Sequence, residues 1–125
     1  MLVKTTMHLV DIILSNGGIT LNPSRFTTVE TGFAVEVKGL QASTVSYFKR
    51  RNVNVYQQVT RNVEHAEDKG VMYGAWINNG IVYQGLTKVY SDIEDALSIA
   101  KAFNQRYIFD IKNQKLIKVL YDSNS

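Results

Sequence analysis

Gly74-Ala75-Trp76-Ile77-Asn78-Asn79-Gly80-Ile81-Val82-Tyr83 sets an Asn-Gly pair between two runs rich in β-branched and aromatic residues. A two-residue type I′ turn needs positive φ at both central positions, and Asn-Gly adopts it at the least cost. With Asn79 and Gly80 as the turn, Trp76 falls opposite Tyr83, Ile77 opposite Val82 and Tyr73 opposite Leu86. Aromatic and β-branched cross-strand pairs of this kind each contribute about 0.2–1 kcal/mol. A hairpin is therefore the nucleus of the fold.

Toward the C-terminus, Ser91-Asp92-Ile93-Glu94 has the spacing of a capping box with Ser91 as the cap, which predicts a helix start. Ile93, Ala96, Leu97, Ala100 and Phe103 make its apolar stripe. Asp92, Glu94 and Asp95 at its start and Lys101 near its end complement the helix dipole, and Asn104 supplies a left-handed cap. A second hairpin follows, Tyr107–Ile111 against Leu116–Leu120, turning at Lys112-Asn113-Gln114-Lys115. The polar tail Tyr121–Ser125 is expected to fray.

Toward the N-terminus, Met7, Val10 and Leu14, with Leu9 and Ile13 beside them, predict an amphipathic helix that Asn16-Gly17-Gly18 stops. A short strand Ile19-Thr20-Leu21 is broken by Asn22-Pro23. Gly32–Lys38 alternates as a half-buried strand, with Phe33, Val35 and Val37 on one face, and Gly39 ends it. From Gln41 to Asp68, Val45, Phe48, Asn52, Val55, Val59, Val63 and Ala66 recur at helical steps. They predict a helix from about Ser43, interrupted near Asn52–Asn54, with Glu64–Gly70 as a polar connector. Helix–strand–strand thus recurs three times. The order favours an α+β fold: a largely antiparallel sheet of about six strands with two or three helices packed on one face.

The 125 residues suit one domain, and 45% hydrophobic with 20% charged residues is the composition of a folded globular chain. The absence of cysteine excludes a disulfide scaffold, a thiolate zinc site and a cysteine nucleophile, and it fits a reducing cytoplasm. The apolar run Leu9–Leu14 is interrupted by Asp11 and is too short for a bilayer, so no membrane association is expected. Net charge is +3, yet Lys38, Lys49, Arg50, Arg51 and Arg61 all fall between Glu36 and Glu64 with no acid among them. Such a cluster suits phosphate or an acidic partner, or is simply a solvated helix face.

The hairpin segment resembles one in a family of small accessory proteins of bacteriophages, prophages and plasmids. There, a Gly-x-Trp-Val-Asp-Asn-Gly-x-Val-Tyr hairpin precedes a helix and an Asn-Gln-x-x-Ile-x-Asp strand. This chain matches with Gly74–Tyr83 and with Asn104, Gln105, Ile108 and Asp110. Asn16–Thr20 and Gly32-Phe33 also correspond, so the likeness covers about two thirds of the chain. Asn78 stands where the family more often has Asp, and residues 41–69 do not correspond. The resemblance implies a setting, a mobile element in a bacterial host, and no particular activity.

Catalytic patterns do not emerge. His8 and His65 lack metal-site spacing, Gly17-Gly18 follows a helix instead of opening one, and no nucleophile elbow occurs. No catalytic, metal-binding or cofactor-binding residue is assigned, and a small enzyme with an unfamiliar site ranks third among the readings. The first is a cytoplasmic accessory protein that binds a host protein or nucleoprotein effector, of the kind that inhibits a CRISPR system. DNA mimicry by acidity is disfavoured in a basic chain. The second is a nucleic-acid-binding accessory protein. Candidate partner-binding residues are Lys49, Arg50, Arg51, Arg61, Tyr73 and Tyr83, whereas Trp76 is expected in the core beneath a helix.

The turn carries a direct test. Gly80→Val should destabilise the fold by about 1 kcal/mol or more, because a β-branched residue resists positive φ. Thermal and denaturant unfolding check it.

Overall fold

The computed structural model describes residues 1–121; of the expected frayed tail, residues 122–125 lie outside the described residues. Among the described residues are four helices and seven strands: α1 (Thr6–Asn16), β1 (Gly18–Asn22), β2 (Thr27–Thr28), β3 (Phe33–Thr44), α2 (Val45–Phe48), α3 (Val53–Lys69), β4 (Met72–Asn78), β5 (Ile81–Tyr90), α4 (Ile93–Ala102), β6 (Tyr107–Asp110) and β7 (Lys115–Lys118). The strands form one antiparallel sheet in the order β2-β1-β4-β5-β3-β6-β7. The α+β class is as the sequence predicts, with one more strand and one more helix.

At the centre is the β4–β5 hairpin. Its register pairs Trp76 with Tyr83, Ile77 with Val82 and Tyr73 with Leu86, as the turn demands. Asn79 and Gly80 have φ of 51° and 76°, the left-handed pair of a type I′ turn. The sheet extends from this hairpin in both directions, through β1 on one side and β3 on the other.

β3 corrects the reading that Gly39 ends a strand. It continues to Thr44 and follows β5 along its length, with register shifts between Glu36 and Lys38 and between Gly39 and Gln41. Each shift inserts one unpaired residue and restarts the alternation. That is how Val37 and Leu40, three positions apart, both pack against the same core.

The middle region is helical, but broken earlier than Asn52–Asn54. α2 is a single turn capped by the Thr44 hydroxyl, and Arg51 at φ 47° ends the link to α3. Asn52 is a cap and not a strand residue: its Oδ1 accepts from the Val55 N–H at 3.1 Å. The alternation in Asn52–Tyr56 yields to the longer helical period of Val55, Val59, Val63 and Ala66, all buried. Burying each valine is worth about 1.5–3 kcal/mol. Glu64–Lys69, read as connector, is the last part of this helix, closed by Gly70 in the left-handed region. In α1 the buried side is Leu9, Val10, Ile12 and Ile13, and Met7 is exposed.

All four helices use one face of the sheet. Leu21, Tyr73, Ala75, Val82 and Leu86 pack with α1, α2 and α3, and Val35, Ile108 and Val119 pack with Ala96 and Ala100 of α4. Val37 touches both clusters, making the core continuous.

α4 begins one residue later than the capping-box reading. Asp92, not Ser91, is the cap, its Oδ1 accepting from the Glu94 N–H at 2.8 Å. Its charge beside the free amides adds a favourable dipole interaction that a serine lacks. Asn104 takes the left-handed conformation expected of it. Asp92→Ala should cost about 0.5–2 kcal/mol. Ser91→Ala should change stability by no more than about 0.5 kcal/mol; urea unfolding of the two variants distinguishes the cap.

Candidate functional site

Strand alternation assigns every paired side chain to one of two faces. Tyr73, Ala75 and Ile77 of β4 point to the helices, so Met72, Gly74 and Trp76 point the other way. The registers carry that second face across the sheet. Gly18 and Thr20 join it from β1, Tyr83, Gly85, Thr87 and Val89 from β5, Ala34 and Glu36 from β3, and Phe109 and Leu116 from β6 and β7. No helix packs on it among the described residues.

Two sequence assignments change here. Tyr73 is fully buried, its hydroxyl donating to Gln84 Oε1 at 2.7 Å, and so is not a partner contact. Burial holds its phenol far above the ordinary tyrosine range, as a neutral donor. Trp76, expected as core, is 41% exposed. It stacks on Tyr83 with ring centroids 5.0 Å apart and planes 25° from parallel. Tyr73 and Trp76 are three positions apart on one strand and must lie on opposite faces, so an aromatic surface containing both is impossible.

Glycines flank the stack. Gly18 faces Trp76 across β1, and a methyl group there would stand 2.8 Å from the Ala75 carbonyl. Gly74 and Gly85 face each other one row along the sheet. A methyl at Gly74 would collide with Thr87 Oγ1, and one at Gly85 would collide with Glu36 Oε1. The Glu36 carboxyl therefore lies over Gly85, two residues along β5 from Tyr83, a spacing of about 7 Å. Partial burial raises its pKa above the usual carboxylate range. It makes no ion pair among the described residues. Nor do the strand registers bring any other carboxylate to this face. The sequence signal was present, as one glycine within each of two paired strands, and the alternation of β3 already set Glu36 apart from Val35 and Val37.

The basic residues lie elsewhere and do not form one patch. Lys49, Arg50 and Arg51 occupy the turn between α2 and α3, not a helix face. Arg51 Nε donates to Asp11 Oδ1 at 2.7 Å, so an acid from α1 offsets one of the five charges. Arg50 sits 5.7 Å above the Tyr47 ring, and the Tyr47 hydroxyl accepts from Gln58 Nε2 at 3.2 Å. Arg61 is exposed on α3, about 12 Å along the helix from its first residue. Of the histidines, His8 Nδ1 accepts from the Lys4 N–H, and His65 lies on α3. Among the described residues no group of three or more His, Asp or Glu could hold a metal ion, and no helix is long and apolar enough to cross a membrane.

Comparison with protein-family models, with curated proteins and with solved structures finds no match to this chain.

Glu36 provides a pH test. A raised folded-state pKa means that the folded protein favours the neutral acid, so stability falls as pH rises from the ordinary carboxylate range through the raised value. Glu36→Gln should therefore melt at a higher temperature than the parent at pH 7. The difference should vanish below about pH 4, where the carboxyl is protonated in both states. Melting curves across pH check the sign.

Proposed function

We propose that this chain is a binding module, an accessory protein of a bacteriophage or other mobile element that engages a macromolecule in the host cytoplasm. The class of partner that suits this setting is a protein or nucleoprotein factor of host defence, such as a CRISPR effector, inhibited by occupancy and not by chemistry. The observation that carries the reading is the Trp76–Tyr83 stack, exposed on a sheet face without a helix over it. Trp76 is 41% exposed, and tryptophan and tyrosine are enriched among the residues that anchor protein interfaces. Of the candidates from the sequence, Tyr83 belongs to this surface, and Lys49, Arg50 and Arg61 would contribute from the helical side.

A second reading, nucleic-acid binding, draws on Lys49, Arg50 and Arg61, which are exposed and without an ion pair among the described residues. The two readings use opposite sides of the sheet, which makes them separable.

Tagged protein should be purified from nuclease-treated host extract as the parent, as Trp76→Ala/Tyr83→Ala, and as Lys49→Ala/Arg50→Ala/Arg61→Ala. A stoichiometric partner lost from the aromatic variant but kept by the basic one is the expected result. The same partner on all three would overturn the open-face reading. Random-sequence DNA binding by the parent that falls steeply with salt, and is lost in the basic variant alone, would establish the second reading instead.

A further inference from the structure

The open face holds one carboxylate, which lies over Gly85, and, one row along the sheet, one exposed aromatic stack. We propose that this face receives a guanidinium group, an arginine of a partner protein, with its charge on Glu36 and its plane against the Trp76–Tyr83 stack. The inference rests on the reading of this face as the docking surface and names what it selects.

Three features converge on that chemistry. Glu36 is partly withdrawn from water yet has no cationic partner within the described residues. A carboxylate kept in this state is satisfied by a group that brings positive charge and forked N–H donors, and arginine supplies both. The faces of tryptophan and tyrosine attract cations, and the flat guanidinium stacks on them where a lysine ammonium cannot. Because Gly85 has no side chain, the Glu36 carboxyl lies low over the backbone, one row from the rings, so a single flat group on this face can reach carboxyl and stack together. The same features oppose a phosphate, which the Glu36 charge would repel. Basic side chains are sparse on this face: the registers bring only Lys118, at the far edge opposite Tyr107.

Trp76 is the only tryptophan, so its indole reports on this face alone. The intact protein is titrated with capped arginine amide and with capped citrulline amide, its neutral counterpart, while the Trp76 indole N–H is followed by NMR. Arginine should give a saturable shift and citrulline none at the same concentrations. Glu36→Gln, which should fold at least as stably as the parent, should weaken arginine binding about tenfold or more, the range of one lost charge-assisted hydrogen-bonded contact. Equal shifts from citrulline, or unchanged arginine affinity in Glu36→Gln, would overturn the proposal. A shift with thymidine oligonucleotide and none with arginine would overturn it as well, assigning the stack to bases. Should a host partner be lost with Trp76→Ala/Tyr83→Ala yet held undiminished by Glu36→Gln, the docking face stands and the guanidinium assignment falls.

Discussion

One buried oxygen ties the layers together. Gln84 Oε1 accepts from the Tyr73 hydroxyl at 2.7 Å and from Asn62 Nδ2 at 2.9 Å, and the same Asn62 amide reaches Gln41 Oε1 at 3.2 Å. β3, β4, β5 and α3 meet in this group. Beneath a helix each polar atom must find a partner or cost about 1–3 kcal/mol. The apolar neighbours Val59, Val63, Ala75 and Val82 are interchangeable in kind, but these hydrogen bonds form in one register only, and they hold Gln84 through its oxygen alone, its Nε2 being buried without a partner among the described residues. A slip of one residue in β4 would take the Tyr73 hydroxyl to the opposite side of the sheet.

Much follows from that constraint. With Tyr73 held inside, the two-residue period leaves Trp76 outside, and the Gly74–Gly85 pair outside with it. The faces were in principle legible: glycines have no surface to bury, so the set Tyr73, Ala75, Ile77, Val82 and Leu86 has the stronger claim on the helices. Placing Tyr73 on the surface and Trp76 in the core inverts the alternation that this set requires. The glycines beside the stack are thus the other side of a core decision.

The hairpin, its register, the C-terminal half and the helical period of residues 55–66 could be read from local chemistry, since turn residues and apolar spacing act within a few positions. What could not be read depends on partners distant in the chain. The continuation of β3 past Gly39 needs β5 beside it, and the bulges at Val37 and Leu40 have no signature of their own. Arg51 is neutralised by Asp11, forty residues away, so charge counted along the sequence overstated the local field. The position of Glu36 over Gly85 belongs to the same class: both residues are visible, their contact is not.

The bulged course of β3 has a consequence for the protein in crowded solution. β6 pairs with β3 only at Phe33 and Ala34, which leaves the outer rim from Val35 to Thr44 without a strand neighbour among the described residues. A straight rim of that length would invite sheets to join edge to edge. Here the backbone is kinked twice between Glu36 and Gln41, and Lys38 projects between the kinks, so an incoming strand would lose register before a stable ladder formed. The sheet's other ends are a two-residue strand and a four-residue strand with lysine at both termini. The irregularities that seat Val37 and Leu40 in the core also oppose edge-to-edge pairing along this rim.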